Sequence, residues 1–239
     1  MKFAAVERFG GVYRLIVYKH PPSHKSSNEL KKQHPEGERF ESSVIRAKSR
    51  VRELALCNEW QYFATFTLDK DKQDRHDLNA WIKALGNWVG NYNKKYAAKL
   101  QYVIIPEQHK DGAWHAHGLL RGVAAASLQR NGHGYLDMPY YANRFGYISL
   151  SPIKNAVAVS HYITKYITKD FSSAARKKDE HLFYASRGLA GKQPCLHGYI
   201  PDDFACDYEN EHCGVTWINA EDFELFDIRG LLHDVQQDW

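Results

Sequence analysis

"EQHKDGAWHAHGLL", from Glu107 to Leu120, decides how the middle of this chain folds. Two apolar-rich flanks, LQYVIIPEQH and AWHAHGLLR, meet at Lys110-Asp111-Gly112. A short loop ending in glycine joins antiparallel strands when the glycine takes the left-handed backbone position. Residues two apart on a strand face the same side, so His115 and His117 project together and Ala116 goes to the opposite face. With a three-residue loop His109 pairs Ala113, Gln108 pairs Trp114, and Glu107 lies across from His115. A two-residue loop would put Gln108 opposite His115 instead. In the first register two imidazoles and a carboxylate share one face, and such a set with open positions beside it can hold a divalent cation.

Around this hairpin the periodicities alternate. WQYFATFTLDK (Trp60–Lys70) is dense in aromatic and β-branched residues and reads as a buried strand. DLNAWIKALGNWVGNYNKKY then spaces Trp81, Ile82, Leu85, Trp88, Val89 and Tyr92 as the stripe of an amphipathic helix, a core stripe rather than a ligand box. YISLSPI is a further strand and NAVAVSHYITKYITKDF a helix, with a short helical start and a loop in ASLQRNGHGYLDMPYYANRFG before them. Towards the start, GVYRLIVY reads as a single N-terminal strand, and residues 18–40, rich in Pro, Ser, Lys and His, as a basic loop. SSVIRAKSRVRELALCN follows as a helix capped by Ser42 or Ser43, with one apolar and one basic face. Arg46, Lys48, Arg50 and Arg52 are candidate phosphate contacts on it, or simply a solvated face.

Strands in hairpins with helices between them indicate an α+β fold: an antiparallel central β-sheet with helices packed on one face. The expected segmentation is 1–58 (strand, basic loop, basic helix), 59–175 (the core) and 176–239 (a C-terminal extension), as parts of one domain.

The 239 residues carry a net charge of +4. The charge is unevenly spread. Residues 201–239 hold eleven acidic residues against the single basic Arg229, and the preceding part is strongly basic. A basic body is compatible with polyanion binding. No apolar run approaches the roughly 18 residues of a membrane span, and no N-terminal segment has the order of a signal peptide. Cys57, Cys195, Cys206 and Cys213 lack regular spacing, so a cytoplasmic chain with reduced thiols is expected. The absence of a GxxxxGK[ST] stretch argues against a nucleotide-driven motor.

In HYITKYITKD, Tyr162 and Tyr166 are four residues apart, each followed three residues later by a lysine, Lys165 and Lys169. On a helix such tyrosines are neighbours on one face. Phenol, with a pKa around 10, is a poor nucleophile near neutrality. Adjacent lysines favour the phenolate and stabilise charge on a phosphate under attack. The plainer reading is an amphipathic repeat with Tyr and Ile in the core.

FATFTL, the hydrophobe-flanked His-x-His strand and the Tyr-x-x-Lys-Tyr-x-x-Lys helix occur in that order over residues 60–170. Together they resemble the HUH-type rolling-circle replication initiators, in particular the two-tyrosine class of phage and plasmid Rep proteins. RAKSRVRELALCNEWQYFATFTLD and YASRGL, on either side, are similar to phage-type members. The resemblance implies an HUH endonuclease palm, ferredoxin-like or RRM-like, and a site-specific single-strand DNA nickase and ligase. His115 and His117 match the metal pair, with Glu107 where a third, acidic ligand is usual and Mg²⁺ or Mn²⁺ as the ion. Tyr162 and Tyr166 match the nucleophiles, and Lys165 and Lys169 the helix lysines. It further implies an origin as single-stranded or hairpin DNA, a 5′-phosphotyrosine link, a host helicase and polymerase as partners, and a bacterial host cytoplasm.

Two other readings keep part of this pattern. A single-strand transposase or relaxase would use the same chemistry, although relaxases generally carry three histidines and an earlier nucleophile. A non-catalytic DNA-binding regulator would draw on Cys195, His197, Cys206, His212 and Cys213 as ligands of a structural zinc. His161, beside Tyr162, is a candidate general base only if its side chain turns with the tyrosine's, and its helical position points about 100° away.

Overall fold

The structure is a computed structural model that describes residues 1–20, 36–132, 134–167, 180–223, 230 and 232–236. Its strands up to the paired-tyrosine segment are β1 (Lys2–Phe9), β2 (Val12–Tyr18), β3 (Tyr62–Leu68), β4 (Gln101–Gln108), β5 (Trp114–Arg121), β6 (Gln129–Arg130), β7 (Leu136–Asp137) and β8 (Gly146–Pro152). After it come β9 (Tyr184–Ala185), β10 (Gln193–Ile200), β11 (Tyr208–Glu209), β12 (Cys213–Asn219) and β13 (His233–Gln236). The helices are α1 (Glu36–Leu56), α2 (Leu78–Tyr96), α3 (Pro139–Ala142), α4 (Ala156–Thr164) and α5 (Ala220–Phe223). The class is α+β, with antiparallel sheets. Among the described residues no helix is long and apolar enough to cross a membrane. The chain divides into two compact units, Phe40–Leu189 and a discontinuous one of Met1–Arg39 with Ala190–Trp239.

The continuous unit is built on a seven-stranded sheet in the order β6-β7-β8-β3-β5-β4-β9. Its middle strands hold adjacent apolar pairs, Ile104 with Ile105 and Leu119 with Leu120, all buried. Alternation sends one member of each pair to each face, so both faces need cover. Helix α2 supplies Leu78, Trp81, Leu85, Trp88 and Tyr92 against Phe66, Ile104, Ala116 and Leu120. On the other face Val51, Leu54 and Ala55 of α1 and Ile163 of α4 pack with Val103, Ile105 and Leu119. The covering is therefore two-sided, where the sequence pattern implied helices on one face. Asp77 caps α2 by accepting from the Ala80 N–H at 2.9 Å, and α2 stops where Ala97 turns left-handed.

Two helix boundaries differ from the sequence reading. Helix α1 already runs from Glu36, so Ser42 and Ser43 sit inside it and hold the Arg46 guanidinium instead of capping (3.2 and 3.0 Å). The last helix ends at Thr164 and tightens into a 3-10 turn over Lys165–Ile167.

The discontinuous unit is a six-stranded sheet in the order β11-β12-β2-β1-β10-β13. Its N-terminal part is a hairpin of two strands, not one, and β1 pairs along β10 from Lys2↔Ile200 to Arg8↔Gln193. Ala4, Val6, Leu15, Val17, Leu196 and Ile218 form its core. Tyr13 stacks on Phe223 at 3.6 Å.

Candidate metal and tyrosine site

The hairpin takes the three-residue register. The His109 N–H donates to Ala113 O at 2.8 Å, Gly112 sits at φ +85°, and Glu107 lies opposite His115. Asp111 tightens the loop by accepting from the Ala113 N–H at 3.0 Å. Because β5 also pairs β3 with Thr65 opposite His117, four polar side chains on three strands share one sheet face. Nε2 of His115 and Nε2 of His117 each lie 3.0 Å from the same Glu107 oxygen. The donor atoms of all three residues fall within 4.8 Å of one another. Thr65 Oγ1, 3.3 Å from His117 Nδ1, fixes that ring with Nε2 towards the carboxylate, the outer hydrogen bond that orients a ligating imidazole. The His109 ring stacks on His115 at 3.9 Å.

A pair of imidazole nitrogens and a carboxylate oxygen, nearly buried and converging from rigid strands, fits a divalent ion with coordination positions left for other ligands. Among the described residues it is the only group of three or more His, Cys, Asp or Glu side chains placed to hold a metal. Cys206, His212 and Cys213 form none, and the Cys195 side chain lies outside the described residues.

Helix α4 brings the phenols to this group. Asn155 caps it by accepting from the Ala158 N–H at 2.8 Å. Ile163 and Ile167, fully buried against the sheet, set its rotation, which turns Tyr162 and Tyr166 to the histidine side. The Tyr166 ring lies on His117, centroids 3.7 Å apart and planes 23° from parallel. Its hydroxyl donates to the Tyr162 oxygen at 2.6 Å. Tyr162 meets Phe63 edge-on at 5.2 Å and is 46% exposed. Burial pushes the Tyr166 phenol above its ordinary pKa of 10, and the Tyr162 hydrogen bond and charge and the Glu107 charge push the same way. The expectation that lysines favour the phenolate therefore does not hold for Tyr166 in the ion-free protein. Lys165 stands with its Nζ 5.7 Å from the Tyr162 ring centroid, and Lys169 lies outside the described residues.

Beside Tyr162 opens a cleft of about 630 Å³, lined by Thr65, Ser149, Ser151, Lys154, His161 and Lys165 among others. His161 is an exposed wall of this cleft, its pKa lowered by partial burial and by the Arg52 charge. Sequence reading missed Thr65, Ser149 and Ser151. Their polar alternation is present in the strands, but only the pairing of β3 with β5 and β8 aims them at the site.

The four basic residues of α1 do not share a face. Arg46 and Arg50 are exposed on one flank of the apolar stripe, along a cleft of about 540 Å³ with Ser43 and His181, and Arg50 pairs with Glu53. Lys48 and Arg52 are half-buried on the other flank, Arg52 towards His161. Of the aromatics considered for base stacking, Tyr135 is exposed, Tyr140 half-buried and Tyr141 wholly enclosed.

An antiparallel sheet offering two imidazoles and a carboxylate beside a helix offering two phenols defines an α+β protein equipped for metal-assisted phosphate chemistry. Residues 61–171 match the family model for replication-associated protein ORF2, which supports a replication-initiator family and, with it, DNA as the partner. No curated protein and no solved structure gives a significant match.

Proposed function

We propose that this chain initiates rolling-circle replication by nicking and resealing single-stranded origin DNA through a tyrosine ester. The observation that carries the reading is the stacking of Tyr166 on His117, with both phenol oxygens joined beside the Glu107–His115–His117 group. In the reaction a tyrosine oxygen attacks the scissile phosphorus and the bond from phosphorus to O3′ breaks. O3′ leaves as a hydroxyl, taking up a proton to match the one the phenol releases. The 5′-phosphate stays esterified to tyrosine, and attack by a 3′-OH reverses the step and frees the phenol. Bond energy is conserved, so no nucleoside triphosphate is consumed. Mg²⁺ or Mn²⁺ held by Glu107, His115 and His117 would polarise the phosphate oxygens as a Lewis acid.

The remaining work falls to side chains. Tyr162 and Tyr166 are the nucleophiles, one for the first cut and one for the regenerated origin. Lys165 and Lys169 offset charge on the phosphate. Arg46, Lys48, Arg50 and Arg52 contact backbone phosphates from two flanks of α1. A host polymerase extends the free 3′-OH, and a host helicase opens the duplex. The test is incubation with a labelled single-stranded origin oligonucleotide and Mn²⁺, with and without EDTA. A covalent protein–DNA band that EDTA removes is expected, mapping to the peptide with Tyr162 and Tyr166. A band that persists in EDTA, or maps elsewhere, would sink the proposal.

A further inference from the structure

A second cleft, of about 620 Å³, lies between α2 and α3, on the sheet face opposite the histidines. Asn87, Asn91 and Lys95 follow one another at four-residue spacing along α2, which places them in a row on one side of the helix. Tyr140, Asn143 and Arg144 form the other wall. The floor is preset: Trp88 Nε1 donates to Tyr140 O at 3.0 Å, and the two rings stack at 5.5 Å. Lys95 Nζ stands 4.6 Å from the Tyr140 ring centroid. No carboxylate lines the cleft. Among the described residues neither Lys95 nor Arg144 has an ion-pair partner, and no side-chain hydrogen bond engages the carboxamides of Asn87, Asn91 or Asn143.

Two cations without an anion exclude a cationic ligand and favour a polyanion. Three carboxamides beside them each offer a donor and an acceptor at one edge, the pairing that reads base edges. An aromatic floor under a positive groove adds a surface for a base. Residues 40–189, to which the cleft belongs, carry a net charge of +9, against −5 for the rest of the chain.

We infer that this cleft is a second binding site for single-stranded DNA, separate from the nicking centre and grasping a part of the strand that is not cut. The inference rests on the proposed nicking function for its biological sense but not for its physics. The strand's phosphates meet Lys95 and Arg144, and its bases meet the asparagine row.

The experiment uses the full chain in EDTA, so that metal and cleavage play no part. Binding of a labelled single-stranded 30-mer is followed by fluorescence anisotropy. Asn87→Ala with Asn91→Ala, which changes no charge, should weaken binding about tenfold. Lys95→Gln with Arg144→Gln should also lower the salt slope by about 1.4, the counterions of two single-strand phosphates. Lys83→Gln with Lys99→Gln removes the same charge outside the cleft and should do much less. For the unaltered chain, an iodouracil-bearing strand should photocrosslink to peptides containing Trp88 or Tyr140. Unchanged affinity in the asparagine variant, or crosslinks confined to the tyrosine–histidine face, would overturn the inference. So would a wild-type dimer that the asparagine variant dissociates without losing affinity for DNA, since the cleft would then seat a second copy. A chain that crosslinks through the cleft but forms no adduct with Mn²⁺ refutes nicking and leaves the cleft standing. Adduct formation without cleft crosslinks does the reverse.

Discussion

The Tyr166 hydroxyl donates to the Tyr162 oxygen at 2.6 Å while its ring rests on His117, so the two phenols are unequal before any substrate arrives. Tyr162 is the acceptor, is 46% exposed and borders the cleft beside Thr65; Tyr166 is held between its neighbour and an imidazole. On the proposed mechanism the first cut therefore falls to Tyr162. Tyr162→Phe should lower single-turnover adduct formation at least about tenfold, a loss of about 1.4 kcal/mol or more of transition-state stabilisation. Tyr166→Phe should leave a larger fraction, and the double variant should bind the oligonucleotide yet form no adduct. Mass spectrometry of the wild-type adduct checks the assignment, and a linkage found only on Tyr166 would reverse it.

Thr65 gives a test of the metal reading that spares all three ligands. Its hydroxyl orients the His117 ring, and loss of such an outer hydrogen bond typically costs ten- to a hundredfold in metal affinity. Thr65→Val should therefore weaken Mn²⁺ binding about tenfold in calorimetry, with adduct formation recovering at high Mn²⁺. Glu107→Gln should not recover in the same way, because it removes a charged ligand. Identical Mn²⁺ titrations for wild type and Thr65→Val would argue against the site.

The part of this arrangement that was legible in the sequence is the part encoded locally. Lys110-Asp111-Gly112 sets the hairpin register, and the parity of β5 then places His115 and His117 together. The four-residue spacing of Tyr162 and Tyr166 places the phenols together whether the backbone continues as α-helix or tightens to 3-10. What was not legible depends on pairing across long stretches of chain. β1, KFAAVERF, alternates with alanines and charges, and its partner strand β10 begins at Gln193. Neither segment shows a strand signal strong enough to stand alone. The two-sided covering of the sheet was foreshadowed only by adjacent apolar pairs such as Ile104 with Ile105, which read equally well as one buried strand. Pairing of β3 between β5 and β8, which aims Thr65 and Ser149 at the site, leaves no local mark.

Gly118, next to His117, is a position where backbone approach forbids a side chain. A Cβ there would lie 2.7 Å from Val103 O and 3.1 Å from both Phe66 and Ile104 side chains. The first of these atoms belongs to the neighbouring strand's backbone and has nowhere to go. Gly118→Ala should cost about 1–3 kcal/mol of stability, as overpacking does, and should weaken Mn²⁺ binding through displacement of His117. Denaturant unfolding with and without Mn²⁺ separates the two effects. A variant as stable as wild type would show that β4 and β5 part more easily than their pairing implies.

The discontinuous unit carries its own pH signature at Glu7, which lies between Lys192 and Arg14. Burial alone would raise its pKa, but hydrogen bonds and charge from Lys192 and Arg14 outweigh that and hold it below the ordinary 4.5. A carboxylate with a depressed folded pKa binds its proton more readily once unfolded, so its stabilisation is complete above the unfolded value and fades as pH falls through the folded one. Unfolding of the sheet that joins β1, β2 and β10 should therefore become easier as pH drops below about 4.5, and Glu7→Gln should flatten that dependence while lowering stability at pH 7. Hydrogen exchange of the Ala5, Glu7 and Leu15 amides across pH 3–7 reads this directly. Because Glu7 joins charges supplied by β2 and by the segment leading into β10, which lie far apart in sequence, equal pH slopes for wild type and variant would mean that the two strand pairings do not depend on this ion group.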